Sequence, residues 1–249
     1  MTKKITLIQT SIADYRDKFI DGCCKHAQDN NISFSILTGL EYFEHSTKTS
    51  QSVLKKKNTK RISNLFMLNR KFLFQAIPLK QITTPDIVIC ELNPRILSTW
   101  LTIFIRKFIG KPTVLWGHAW GRNGPESKME PIRNILRNLA PALLLYTDTQ
   151  KKEIQEQTNY PGKVFVAPNS LYSAAEIKNI YSPESNSITY VGRLVTSKKV
   201  AFLINGCSQF LSKNPQCYLE IVGSGDEEST LRGLAREKGL EKQVIFHGH

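Results

Sequence analysis

Arg193 and Lys198 are the residues whose type and spacing point most directly to chemistry. They lie five positions apart, just after the apolar run Ile188–Val191 (ITYV) and Gly192. Such a run reads as a strand leaving the carboxyl edge of a sheet, which is where open α/β sheets bind ligands. A guanidinium and an ammonium fixed there suit a diphosphate, the first as a planar fork and the second as a point charge. The competing account is an exposed Arg and Lys at a helix start, an arrangement the helix dipole opposes.

Three further segments have residues that could serve a site. Gly223-Ser224-Gly225 would let backbone amides approach a nucleotide closely. It is equally a tight strand–helix turn, with Asp226 as N-cap and Glu227 and Glu228 favouring the dipole. An acidic cap repels phosphate, so the loop reads as mainly structural. His118 sits in TVLWGHAWGRNG, where Gly117, Gly121 and Gly124 allow tight folding around a ligand. Its alternatives are a contact to a bound ligand and a satisfied loop histidine. Trp116 and Trp120 flank it as a sugar-stacking face, although the apolar neighbours of Trp116 favour the core. Arg122 could add a phosphate contact. In Thr10–Arg16, a first strand–helix junction, Arg16 reads as cleft-facing or as solvated.

The elements that must position these residues alternate between strand-like and helix-like along the whole chain. This favours parallel sheets covered on both faces. Strands are expected at Ile5–Gln9, Ser33–Leu37, Ile87–Cys90, Thr113–Trp116, Ala142–Tyr146 and Lys163–Val166. Helices are expected at Tyr15–Gln28, Arg95–Phe108, Met129–Leu139 and Thr149–Gln157. The mixed-polarity stretch Ser170–Ser187 reads as a short helix and a linker. Beyond it come strand Ile188–Val191, helix Val200–Leu211, strand Tyr218–Val222, helix Glu227–Lys238 and strand Val244–Phe246.

Val191-Gly192-Arg193-Leu194, Lys198 and the run IVGSGDEESTLRGLAREKGLEKQVIFHGH closely resemble the donor-binding half of GT-B glycosyltransferases of the family-four type (glycosyl transferases group 1). Members usually show V-G-R-L, three residues, then Lys-Gly. Lys198 is in register, and Lys199 stands where Gly is usual. The resemblance implies an α/β protein of GT-B fold, with two Rossmann-like domains of parallel sheet. Residues 1–170 would bind acceptor, 171–187 would link, and 188–249 would form a partial donor domain. Arg193 and Lys198 would hold the nucleotide diphosphate and stabilise its charge as the glycosidic bond breaks. Gly223 and Gly225 would line the nucleotide, and His118 would face the donor sugar. It further implies retention of configuration and no metal, in line with the lack of a D-x-D triplet. No cofactor is expected, the nucleotide-sugar being a donor substrate and a glycan or lipid-linked molecule the acceptor. The family's E-x7-E pair is not found after Arg193. The second domain is therefore expected to be incomplete and the chain a fragment or shortened product. The runner-up functions are a nucleotide-sugar epimerase of the same fold and a shortened, non-catalytic binding chain.

Charge adds a partner. The net charge is +13, and residues 1–170 hold 25 Lys/Arg against 13 Asp/Glu, so the excess lies almost wholly there. Lys55-Lys56-Lys57 and Lys60-Arg61 precede NLFMLNRKFLFQAI, a stretch that suits adsorption to anionic lipid or, more plainly, a solvated loop before a core helix. No nucleic-acid module is recognisable, so nucleic acid is not an expected partner. The 5 cysteines lack a C-x-x-C spacing and suit a reducing compartment. No apolar run reaches the roughly 18 residues of a spanning helix, the nearest (Ile96 to Ile109) being broken by Arg106 and Lys107. The expected location is cytoplasmic, with docking to the inner face of the cell membrane.

Overall fold

The computed structural model describes residues 2–43, 48–121, 123–168 and 186–248. The chain divides into two compact units, Met1–Ile177 and Lys178–His249. The expected linker at 171–187 falls outside the described residues, except for its last two positions.

In the first unit the strands are β1 (Lys3–Gln9), β2 (Ile32–Thr38), β3 (Thr59–Arg61), β4 (Asn64–Met67), β5 (Phe72–Gln75), β6 (Ile87–Glu91), β7 (Thr113–Gly117), β8 (Ala142–Leu145) and β9 (Lys163–Val166). The helices are α1 (Asp17–Asp29), α2 (Gln51–Leu54), α3 (Leu79–Thr83), α4 (Leu97–Phe108), α5 (Glu130–Leu139) and α6 (Asp148–Gln157). Seven strands form a parallel sheet in the order β3-β2-β1-β6-β7-β8-β9. Runs such as IVIC and ALLL are apolar at every position because a parallel sheet is covered on both faces. Connections from β1 run one way along the sheet and those from β6 the other. The junction of β1 and β6 is therefore the topological switch point, the favoured ligand position of such sheets.

Residues 64–75 do not lead into a core helix. They form the antiparallel hairpin β4–β5. Its turn places Leu68, Asn69 and Arg70 in succession at φ 50°, 51° and 62°, a sequence of left-handed residues no helix contains. Arg70 offsets this strain by donating to the carbonyls of Phe43 (2.9 Å) and Tyr42 (2.6 Å) and by stacking on Phe66. Lys60 and Arg61 belong to edge strand β3, and Lys56 pairs with Asp21, so this basic run is partly structural. The hairpin also steadies the switch point. Asn64 Nδ2 donates to the Thr10 carbonyl (2.9 Å), and Gln75 Nε2 to the Gln9 carbonyl (3.1 Å).

Arg106, which interrupts the apolar run of α4, is fully buried. Its guanidinium donates to the carbonyls of Ile82, Pro85, Asp86 and Pro112, tying the end of α3 and the entries to β6 and β7 to one helix.

The second unit has strands β10 (Ser187–Val191), β11 (Tyr218–Val222) and β12 (Val244–Gly248) in one parallel sheet of that order, with helices α7 (Val200–Lys213) and α8 (Glu228–Glu237). Its core gathers Leu194, Ile204, Leu211, Leu219, Ile221 and Leu231. Ser187, expected to end the linker, already pairs in β10.

Candidate functional site

In the second unit, Arg193 and Lys198 lie on the loop that leaves β10, and both are exposed. The loop's backbone is bonded to the loop leaving β11. Gly192 N donates to Val222 O (3.0 Å), Leu194 N to Ser224 O (2.9 Å) and Glu227 N to Leu194 O (3.1 Å). Leu194, fully buried, plugs the loop into the core.

The two glycines make this pairing sterically possible. A Cβ at Gly223 would stand 1.9 Å from the Gly192 oxygen, and one at Gly225 would stand 2.2 Å from the Leu194 oxygen. Gly223 also has φ 141°, which L side chains rarely adopt. Their close backbone approach is thus to the neighbouring loop of the chain itself, which fixes the peptide carrying Arg193.

Asp226 does not cap α8. The cap position belongs to Glu227, whose carboxylate instead accepts the Thr196 hydroxyl at 2.9 Å and so secures the turn Thr196–Lys198. Lys199 follows at φ 53°, ψ 38°. That left-handed geometry explains the glycine usual at this position in the family pattern, since a side chain there is strained. Lys199→Gly is therefore expected to stabilise the second unit by about 0.5–1 kcal/mol, the strain relieved less the added chain entropy. A rise in the urea midpoint measures it.

In the first unit, polar side chains converge at the switch point. Arg16 is not solvated, having only 9% of its surface exposed. It donates to Gln9 Oε1 (3.0 Å) and to the Tyr146 hydroxyl (2.6 Å), with its guanidinium carbon 5.0 Å from the Trp116 ring centre. Glu91, ending β6, accepts from the Thr10 amide. Burial pushes the Glu91 carboxyl above the usual range, against the opposing pull of that amide and of Arg16. Gln9 Nε2, Arg16 Nε and Trp116 Nε1 are buried with no hydrogen-bond partner among the described residues. Buried polar groups in folded proteins are nearly always paired, so this concentration marks a place for polar ligand atoms or water.

His118 borders the cluster. It is exposed, with its ring 4.6 Å from that of Tyr146. The Ala119 amide donates to Gln150 Oε1 (3.2 Å), which turns the Gln150 amino group toward His118 Nδ1 (3.2 Å). Nδ1 is therefore an acceptor, and the ring proton sits on Nε2, available to a ligand oxygen. Partial burial, then the charges of Arg133 and Arg16, hold the His118 pKa below its ordinary 6.5. The folded state accordingly favours the neutral ring, so this contribution to stability is full above pH 6.5 and fades as pH falls through the lowered value. An NMR titration should give a midpoint below 6.5, moved upward in Gln150→Glu.

The two tryptophans do not form a sugar-stacking face. Trp116 is buried against Phe19 and Tyr146, and Trp120 packs by Arg137 with its indole N–H on Glu153 (2.7 Å). Arg122 lies outside the described residues. The sequence pattern points to Arg193, Lys198 and His118 but not to Gln9, Glu91 and Tyr146. The signal for these three was a polar or amphipathic residue closing each of three apolar strands.

Known proteins resemble the chain in sequence and in fold. Residues 173–249 match the family described as Glycosyl transferases group 1. An uncharacterized glycosyltransferase of Haemophilus influenzae is 30% identical over 138 residues, covering 53% of this chain and 37% of the relative. Alpha-D-kanosaminyltransferase of Streptomyces kanamyceticus is 25% identical over 128 residues, covering 47% and 33%. The chain thus spans about a third of the length of the curated relatives it matches.

Among solved structures, the lipopolysaccharide outer core galactosyltransferase WaaB aligns at TM-score 0.54 and 20% identity, over 98% of this chain and 68% of that one. A TarM variant of S. aureus, solved in complex with fondaparinux, alpha-GlcNAc-glycerol and UDP, aligns at 0.61 and 11%, over 100% and 78%. A protein of Listeria monocytogenes described as a UDP-N-acetylglucosamine 2-epimerase aligns at 0.61 and 10%, over 99% and 68%. The fold is GT-B, and the second unit carries the glycosyl transferases group 1 segment.

Proposed function

We propose that the protein transfers a sugar from a nucleotide-sugar to a hydroxyl acceptor on a glycan or lipid-linked molecule. The observation that carries this is the placement of Arg193 and Lys198, exposed on a backbone-locked loop at the carboxyl edge of β10 and β11, inside the segment that matches glycosyl transferases group 1. In the reaction the anomeric C–O bond to the diphosphate breaks and its electron pair leaves on the phosphate oxygen. A new C–O bond forms to the acceptor, whose proton passes to the diphosphate or to water. Arg193 and Lys198 stabilise the negative charge that develops on the leaving group. The polar cluster of Gln9, Arg16, Glu91, Tyr146 and His118 is the acceptor side, offering donors and a carboxyl of raised pKa.

Retention of configuration and metal independence follow the same family pattern. So does a place in cell-surface polysaccharide assembly. Five free cysteines fit a reducing compartment, and no described helix is long and apolar enough to cross a membrane. Likeness to an epimerase structure supports the second reading, isomerisation of the nucleotide-sugar without transfer. Product analysis with a nucleotide-sugar and candidate acceptors decides between them. Acceptor-dependent release of nucleoside diphosphate supports transfer, whereas an isomerised nucleotide-sugar without acceptor overturns it.

A further inference from the structure

Helices α4 and α5 face the wrong way for a soluble surface. A helix lying on a sheet normally turns its apolar stripe inward. On α4 the outward residues are Leu97, Leu101, Phe104 and Phe108, spaced i, i+4, i+7, i+11, with Phe104 at 53% and Phe108 at 91% exposure. The fully buried residues are Ser98, Thr99, Thr102, Ile103 and Arg106, with Trp100 partly buried against the same core. On α5, Ile132 and Ile135 (56% exposed) point out, while Arg137 is buried, donating to Ala119 O (2.8 Å) and pairing with Glu130.

Ile103 and Leu136 share one core, and a cavity of about 510 Å³ opens at the ends of both helices, lined by Ile103, Leu139, Pro141 and Pro161 and by Lys107 and Lys111. Hairpin β4–β5 adds exposed Leu65 and Leu68, its strand β5 being held to α4 by Ser98 Oγ, which accepts the Gln75 amide (3.1 Å). Contiguous exposed apolar surface on this scale marks an interaction face.

The charge around the face identifies what covers it. Residues 64–83 and 97–108, which include the hairpin, α3 and α4, contain no Asp or Glu, and exposed Lys71, Lys80 and Lys107 lie on these elements. The one acid of α5, Glu130, is turned to Arg137. A second copy would bring like charges together, whereas an anionic bilayer is complementary to a cationic rim around an apolar face. Twelve residues of α4 fall short of the roughly 20 needed to span, so the helix lies in the interface plane.

We propose that the outward faces of α4 and α5, with the β4–β5 turn, form a surface that seats the first unit on an anionic lipid bilayer. The lipid-linked acceptor of the proposed function guides the choice of a lipid surface, but donor binding by the second unit is a separate property with its own readout. The test is vesicle flotation of the chain with phosphatidylcholine alone and with phosphatidylcholine–phosphatidylglycerol. The chain should float with the anionic vesicles, and Phe104→Glu/Phe108→Glu should weaken this by about tenfold or more. Because both phenylalanines are exposed, the thermal midpoint and UDP binding of the variant should stay unchanged. Lys71→Glu/Lys107→Glu should weaken binding to anionic vesicles alone. Absence of flotation, equal flotation with neutral vesicles, or an undiminished Phe variant would overturn the proposal. A dimer in sedimentation that the Phe variant splits would assign the face to a second copy and overturn it as well.

Discussion

Turnover of nucleotide-sugar is expected to fall about 10²–10³-fold in Arg193→Ala, the loss typical of removing one preorganised donor from a developing anion. Arg193 is suited to this because its peptide cannot drift. Leu194 is anchored in the core on one side, and Gly192 is bonded to Val222 on the other. Charge on the diphosphate oxygen grows as the glycosidic bond breaks, so the loss should appear mainly in kcat rather than KM. Arg193→Lys keeps the charge but loses the planar fork, and should recover only part of the rate. Lys198→Ala should behave in the same direction. Near-normal kcat in both alanine variants, measured by nucleoside diphosphate release, would remove these residues from the site.

The second large effect is on stability. Arg106→Ala is expected to destabilise the first unit by roughly 3–5 kcal/mol, because it strips hydrogen-bond partners from several buried carbonyls at once. The guanidinium makes its contacts with Ile82 O (2.6 Å) near the end of α3, Pro85 O (3.0 Å) and Asp86 O (2.9 Å) just before β6, and Pro112 O (2.8 Å) just before β7. Burial lowers the Arg106 pKa from its usual value, but a guanidinium remains charged at neutral pH. Arg106→Lys should rescue little, since one ammonium cannot span four carbonyls. Urea unfolding followed by tryptophan fluorescence reads the loss, as Trp100, Trp116 and Trp120 all lie in this unit. An unchanged midpoint would contradict the clamp.

Much of the fold was legible because buried parallel strands announce themselves as short apolar runs. Ile87–Cys90, Thr113–Trp116 and Tyr218–Val222 are matched by the structure within one residue at each end. The loop carrying Arg193 and Lys198 was legible for a different reason, since V-G-R-L and the following lysine form a local pattern. Lys199, the departure from that pattern, gained its meaning only from its φ. The β4–β5 hairpin was missed because three successive left-handed residues contain no glycine to signal them. Arg16 was read as cleft-facing or solvated, and the sequence could not choose because its partners Gln9 and Tyr146 lie at the ends of β1 and β8, strands with β6 and β7 between them. Likewise α4 was legible as a helix, but its sequence alone does not say which side faces the sheet.

The measurement that bears most directly on the account is a calorimetric titration of UDP and other nucleoside diphosphates into the chain and into Arg193→Ala/Lys198→Ala. Saturable binding to the chain is expected, weakened about a hundredfold or more in the double variant, since two charge-assisted contacts are lost. Binding that survives both substitutions unchanged, or no nucleotide bound by the unsubstituted chain, would contradict it.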